Sequence, residues 1–384
     1  MTEQEKKEQA AAAEVAKNEQ YLQQTNNISS LDNLLQAAEN YRQGIRREVW
    51  PTGFFTLDSE LDGGFYGSQL ICIGAVSSLG KTSFCLQAAT QMAEQGKDVL
   101  IFSLEMSRDE LNAKTVSRYS HILTEEALRD HAFLDGFKTK FTTNEVLKGA
   151  VDSDQSVSRE YFENAVKKAK AIAAHTYIYV GNNDVSVDKV AQVVKRHYAA
   201  TGRKPVVILD YLQILNPTEE AVRNRYDVRR STNDDITKLK VLAREFDIPV
   251  IVISAFNRAS YTDPVSMSSF RESSGIEYSA DILIGLQYKG MEYFTDNSAN
   301  GGRETDAAHS ARVLRLFEKM QTIAAEGNAQ PIELKLLKNR NGSRGTLEFD
   351  FTPKYNFFEP HGEPTTLTEA DFKKGNNSKK SKRL

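Results

Sequence analysis

Residues 70–89 read LICIGAVSSLGKTSFCLQAA. An apolar run, a turn, and Gly-Lys-Thr at the head of an amphipathic segment constrain the fold more than anything else in the chain. A loop of this kind works only between a strand and a helix, because successive backbone N–H groups and the helix N-terminus must face one phosphate. The usual pattern, G-x-x-x-x-G-K-[ST], has its first glycine where this chain has Ala75, and Gly74 sits one residue too early. That early position tolerates a small residue, and alanine is nearly the smallest. Gly80, Lys81 and Thr82 then supply the turn, the cation for the β- and γ-phosphates and the hydroxyl for Mg²⁺. With Ala75, Ser77, Ser78 and Ser83 around them, they form the expected binding set for ATP and Mg²⁺.

A phosphate loop needs a second, acidic strand. PVVILD ends on Asp210 at the C-terminal edge of a buried apolar run, where a carboxylate reaches Mg²⁺ through water. Thr82 and Asp210 are therefore the expected metal residues. Glu105 closes the apolar run VLIFSLE, so its carboxylate is expected at the same crevice as a general base for the attacking water.

From about Trp50 onward apolar strand-like runs alternate with helical periods. Strands are expected at 69–74, 98–105, 176–180, 205–215, 248–256 and 281–288, and a turn-linked pair over 332–351. Helices are expected after the loop up to Gly96, from Ser107, at 186–202 and at 234–246, with a mostly helical, charged stretch over 121–174. Alternation of this kind predicts an α/β fold, a mostly parallel twisted sheet flanked by helices on both faces. Residues 1–28 read as a polar, disordered arm. Residues 29–49 read as a helix whose Leu31, Leu34, Leu35, Ala38 and Tyr41 pack on their own domain or on a neighbouring subunit. The ATPase region spans 50–361, and the basic stretch 362–384 reads as a disordered tail, a solubilising end or a DNA tether.

Composition excludes several classes. A net charge of −3 over 384 residues argues against an all-over nucleic-acid coat, though not against a local basic groove. Cys72 and Cys85, the only cysteines, sit in apolar company and read as buried reduced thiols. The N-terminus lacks the apolar core of a signal peptide, and no apolar run approaches the ~20 residues of a membrane span, so a cytoplasmic setting is expected. The histidines show no ligand spacing, His175 and His197 included, and no G-x-S-x-G elbow is present.

The segments AVSSLGKTSF, VLIFSLEMS, VVILDYLQIL, VIVISAFNR, RESSGIEYSADILI and LKNRNGSRGTLEF occur in the order seen in the RecA-like ATPase domain of DnaB-type replicative helicases. The chain resembles that family over residues 50–360, and alanine at the early loop position is usual there. The resemblance implies a RecA-like P-loop ATPase with Lys81 and Thr82 on phosphate and Mg²⁺, Glu105 as base and Asp210 as the Mg²⁺-linked acid. It implies that Lys338 and Arg340 reach the ATP site of a neighbouring subunit, Arg340 as a finger and Lys338 as its companion on the same strand face. A finger acting in trans requires a homo-oligomer, a hexameric ring in this family. Single-stranded DNA would pass through its channel, against SSFRESSG (268–275) with Arg271, Glu272 and Gly275. NRYDVRR (224–230), with Arg225 and Arg229, is either part of a second DNA loop or a charged subunit contact.

Three departures stand out. About 50 residues precede the ATPase region, too few for the helical collar through which these helicases engage primase. In SAFNR (254–258) Ala255 replaces a glutamine of the family motif that senses the γ-phosphate. Residues 289–330 form an insertion containing the amphipathic helix DAAHSARVLRLFEKMQTIAAEG. Two functions follow: an ATP-driven ring helicase or translocase on single-stranded DNA, or an ATP-dependent assembly or loading factor that binds DNA or a replication protein without unwinding.

Overall fold

The computed structural model describes residues 14, 17, 28–45, 47–149, 156–181, 185–216, 222–224, 228–257, 260–270, 273–291 and 306–362. Residues 1–48 and 49–384 are separate compact units. In the first, the helix Ile28–Arg42 leaves Leu31, Leu34, Leu35 and Tyr41 exposed.

In the second, β1 (Val49–Trp50) and β2 (Phe65–Tyr66) form a small antiparallel pair. The main sheet contains β3 (Leu70–Ala75), β4 (Val99–Ser103), β5 (Thr176–Val180), β6 (Val206–Asp210) and β7 (Val250–Ala255). It also contains β8 (Ile282–Tyr288), β9 (Gln330–Asn339), β10 (Gly345–Thr352) and β11 (Phe357–Pro360). Their order is β11-β10-β9-β8-β3-β7-β6-β4-β5. The six strands from β8 to β5 run parallel and the three at the other edge antiparallel. Between β3 and β4 in sequence, two strand positions are skipped in space. The C-terminal ends of the strands therefore open a crevice at that switch point, where open α/β sheets bind ligands.

The parallel strands β3, β4, β6, β7 and β8 are buried on both faces, and the strand period of two divides their side chains between two cores. Ile71, Ile73, Ile101, Ile208 and Ile253 face the helix Lys81–Glu94. Leu70, Cys72, Leu100, Phe102, Leu209 and Val252 face the helices Val187–Thr201 and Val228–Phe246. Both cysteines are buried free thiols, as the sequence suggested.

Local signals mark several helix ends. Ser107 caps Arg108–Arg129 in a capping box with Glu110, Ser186 caps Val187–Thr201, and Gly96 and Gly202 lie just past their helices with positive φ. The helix expected within 289–330 is present as Asp306–Ala325.

Three expectations change. The strand at 205–215 stops at Asp210 and passes into the short turn Leu212–Ile214, because Gln213 turns its amide onto the end of β7. Strand 98–105 ends at Ser103, whose Oγ donates to the Met106 carbonyl and accepts from the Met106 N–H, so Glu105 lies on a turn and is exposed. Strand β11 had no clear sequence signal. A buried amide holds it, with Gln87 of the loop helix donating to the Phe358 carbonyl at 2.9 Å and accepting from its N–H at 2.8 Å.

Candidate functional site

The loop 76–80 leaves β3 and enters the helix Lys81–Glu94 through Gly80, whose φ of 81° puts it in the left-handed region that glycine adopts without cost. Ser78 adopts φ 65° in the same loop, an uncommon conformation for a residue with a side chain. The first N–H groups of this helix have no partner within it and point out of its end, so Lys81, Thr82 and Ser83 present backbone donors there. The Ser83 hydroxyl instead donates to Asn356 Oδ1 inside the core at 3.1 Å, which leaves its backbone N–H to serve a phosphate.

The residues expected on Mg²⁺ meet directly. Thr82 Oγ1 donates to Asp210 Oδ2 at 2.7 Å, across 128 residues of sequence. A hydroxyl beside a carboxylate is an oxygen-only donor pair of the kind hard Mg²⁺ takes. Burial, with the charge of Glu105 adding to it, pushes the Asp210 carboxyl up to about 6 against the hydrogen bond from Thr82. Thr82 and Asp210 also line a small, mostly apolar cavity together with Cys85, Ser103 and Ile253.

Lys81 Nζ donates to the carbonyls of Ala75 and Val76, each at 3.1 Å, closing the loop on itself. Burial draws its pKa below the ordinary lysine value, opposed by Asp210 and Glu105. Lys114, on the helix Arg108–Arg129, went unnoticed in the sequence. Its Nζ donates to Asn356 Oδ1 at 2.7 Å, and its pKa too is lowered by burial and held up by Asp210. Only its position four residues after Glu110, on the turned-in face, hinted at a role.

Gly74 answers the question raised by the loop. A Cβ there would come within 2.4 Å of Phe256 and 2.5 Å of Phe270. Glycine is thus required at 74 by ring packing below the loop, and Ala75, fully buried at the end of β3, occupies the phosphate-loop position itself.

Where the family motif has glutamine, Ala255 leaves its backbone N–H to Gln213 Oε1 at 3.3 Å, while Gln213 Nε2 donates to Ser254 Oγ at 2.8 Å. An amide from the end of β6 thus caps the end of β7.

Lys338 and Arg340 do not share a regular strand face. β9 is irregular opposite Leu283 and Ile284, and Arg340 lies one residue past its end. Arg340 pairs with Asp281 at 3.2 Å and Lys338 Nζ donates to the Glu277 carbonyl at 2.7 Å. Gly275 lies in the helix Ser273–Ser279, packed against Asn233 of the helix Val228–Phe246. Arg271, Glu272 and Arg225 fall outside the described residues. Arg229 is in the helix Val228–Phe246, but its side chain is outside the description.

A second polar cluster escaped the sequence. Asp98, buried before β4, accepts from His175 Nδ1 at 2.7 Å, His197 Nε2 at 2.9 Å and Arg203 Nε at 2.8 Å. The cluster ties β5 and the helix Val187–Thr201 to the sheet end away from the loop. Among the described residues no group of histidine, cysteine and carboxylate side chains is arranged to hold a metal ion, and no helix is long and apolar enough to cross a membrane.

Residues 50–360 match the family model for the DnaB-like helicase C terminal domain. The chain is 26% identical over 349 residues to the "Replicative DNA helicase DnaB" of Helicobacter pylori (strain ATCC 700392 / 26695), covering 87% of this chain and 65% of that protein. It is 28% identical over 313 residues to that of Geobacillus stearothermophilus, covering 80% and 56%. Thus it spans less than two thirds of the length of these curated relatives. Among solved structures it is similar to an isolated ATPase domain, with TM-score 0.64, 20% identity and coverage of 86% and 98%. It is also similar to "The Structure Of A DnaB-Like Replicative Helicase And Its Interactions With Primase", with TM-score 0.63, 21% identity and coverage of 93% and 76%. These two likenesses establish the RecA-like ATPase fold.

Proposed function

The chain belongs to the DnaB-like helicase C-terminal domain family, a family of ATP-hydrolysing enzymes, and from that premise we propose that it is an ATP-driven, ring-forming translocase on single-stranded DNA that works as a replicative helicase. The observation that carries the proposal is the meeting of Thr82 with Asp210 beside Lys81, at the C-terminal ends of the parallel strands β3 and β6.

In this proposal Lys81 leaves the carbonyls of Ala75 and Val76 for the phosphate oxygens, and the N-terminal N–H groups of its helix share that charge. Thr82 and Asp210 would hold Mg²⁺, which when bound supplies positive charge to the β- and γ-phosphate oxygens. Glu105, exposed on its turn and within the field of Lys81 and Asp210, orients the attacking water and takes its proton. Arg340 and Lys338 exchange their partners in the chain for the γ-phosphate on an adjacent copy, which makes the oligomer, a hexamer by analogy with the family, part of the active site. Arg271, Glu272 and Gly275, with Arg225 and Arg229 as a second loop, hold the DNA backbone in the channel. A cytoplasmic setting and a replication partner complete the proposal.

Mixing two inactive variants tests it. Arg340→Ala subunits lack the finger and Lys81→Ala subunits lack the cradle, so mixed rings regain hydrolysis at interfaces where an intact cradle meets an intact finger. Mixed rings that assemble and recover no turnover refute the shared site. Ala255 favours a second reading, an ATP-dependent assembly or loading factor. Turnover stimulated by single strands without strand displacement on a forked substrate would select it.

A further inference from the structure

The segment joining β7 to β8 touches the phosphate loop at two places. At its base, Phe256 and Phe270 form an antiparallel bridge and pack edge to face, ring centres 5.0 Å apart, directly over Gly74. Farther out, the Tyr261 hydroxyl lies 3.2 Å from Ser77 Oγ at the apex of the loop. The described residues around these points are held by further hydrogen bonds. Asn257 N–H donates to the Ser269 carbonyl at 2.8 Å and Asn257 Nδ2 to the Phe270 carbonyl at 3.2 Å. Val265 N–H donates to Gln287 Oε1 of β8 at 2.8 Å. Beside Tyr261, the Thr262 carbonyl accepts from His309 Nε2 at 2.9 Å, and His309 belongs to the inserted helix.

We infer that Tyr261 is a positioning residue for the nucleotide loop, tying the loop's apex at Ser77 to the β7–β8 segment, and that the inserted helix sets Tyr261 through His309. The inference deepens the proposed function and rests on the nucleotide site assigned there. The geometry favours a latch over packing alone. The Tyr261 ring packs against the second core, so the ring is anchored there while the hydroxyl alone reaches the loop. Ser77 is exposed, and hydroxyls on exposed loops ordinarily bond to water. With alanine at 255, the end of β7 has no long side chain of its own to span this distance. Through the contacts of Phe256, Val265 and Phe270, a displacement at the ends of β7 and β8 passes to Tyr261 and so to Ser77, because packed elements shift as units. The inserted helix thereby acquires a role: it fixes the height of Tyr261 over the loop.

The test is a double-mutant cycle on the full chain, read as affinity for a fluorescent ATP analogue with Mg²⁺ and no DNA. Tyr261→Phe removes one oxygen, and a melting curve confirms that it folds. Tyr261→Phe and Ser77→Ala should each weaken binding about two- to tenfold, the range one neutral hydrogen bond supports, and the double variant no more than either single. His309→Ala should reproduce the Tyr261→Phe effect and add nothing in that background. Single effects that multiply in the double variant, or a silent Tyr261→Phe, overturn the latch. Independent effects of His309→Ala overturn the role of the inserted helix. A parallel measurement compares turnover with and without single-stranded DNA. The stimulation ratio should fall about two- to tenfold in Tyr261→Phe. Wild-type turnover indifferent to DNA would refute the proposed function, whereas the DNA-free cycle would still decide the latch.

Discussion

Asp210→Asn should stabilise the protein while abolishing Mg²⁺-dependent hydrolysis. The Asp210 carboxyl is 4% exposed, and burial raises its pKa from 3.8 to about 6. The sign follows from linkage. A carboxyl whose folded pKa lies above its unfolded value favours folding fully at low pH, and that advantage is lost as pH rises through the folded value. The rise corresponds to about 3 kcal/mol of penalty on the ionised form, at about 1.4 kcal/mol per unit. Asparagine has the same shape, still accepts the hydroxyl of Thr82, and carries no charge to desolvate. At pH 8 without nucleotide or Mg²⁺, the variant should be more stable by about 3 kcal/mol, or about 4 °C in Tm for a domain of this size. The gap should shrink to about half near pH 5, through the window between the two pKa values. Differential scanning fluorimetry from pH 4.5 to 8 measures it. A gap absent at pH 8, or equal at pH 5 and pH 8, would refute the idea that ionised Asp210 is held at a cost in the empty site.

Titration calorimetry in buffers of different ionisation heat should show the same carboxyl releasing about half a proton when Mg²⁺·ATP binds at pH 6, since only the ionised form serves the metal. Heats independent of buffer at that pH would rule this out. The lowered pKa of Lys81 acts in the opposite direction, so binding on the alkaline side should take up protons as phosphate replaces the carbonyl partners. Gly74→Ala should cost about 1–3 kcal/mol in urea denaturation, because Phe256 and Phe270 are both buried and must move. An unchanged midpoint would mean that the rings adapt freely and that Gly74 has no packing role.

The phosphate loop was legible because its information is local: strand, turn, small residues, Lys81 and Thr82 follow within one short segment. The same holds for Ser107, Ser186 and Gly202, whose capping depends on neighbours three or four residues away. Asp210 was readable because the loop demanded an acid at the end of a buried strand and PVVILD supplies one. What escaped depends on contacts across the chain. The amide that holds β11 comes from Gln87, 271 residues earlier. Asp98 gathers His175 from one segment and His197 and Arg203 from another, neither of which carries a motif. The purpose of Gly74 lies in rings at 256 and 270, so the sequence showed a misplaced glycine where the fold has a close approach. Glu105 fell off its strand through a side-chain bond from Ser103 to the Met106 backbone, which competes with the ladder on equal terms.

These observations share one physical cause. The site holds an acid whose pKa burial raises and a lysine whose pKa burial lowers, the lysine donating to two carbonyls with the charges of Asp210 and Glu105 nearby. Ser78 in the left-handed region adds backbone strain to the same few residues. The two electrostatic costs are ones that a bound triphosphate and its cation relieve, since they bring charge of opposite sign to each group. Binding of a triphosphate and its cation is therefore favoured by the relief of these costs, and anything that shifts the loop's apex changes how strongly. Tyr261 and Gln213 are placed to do this, because one reaches Ser77 and the other ties the ends of β6 and β7 together. Alanine at 255 is then compatible with communication between nucleotide and DNA, carried by side chains that lie elsewhere in the sequence and converge on the same strand ends.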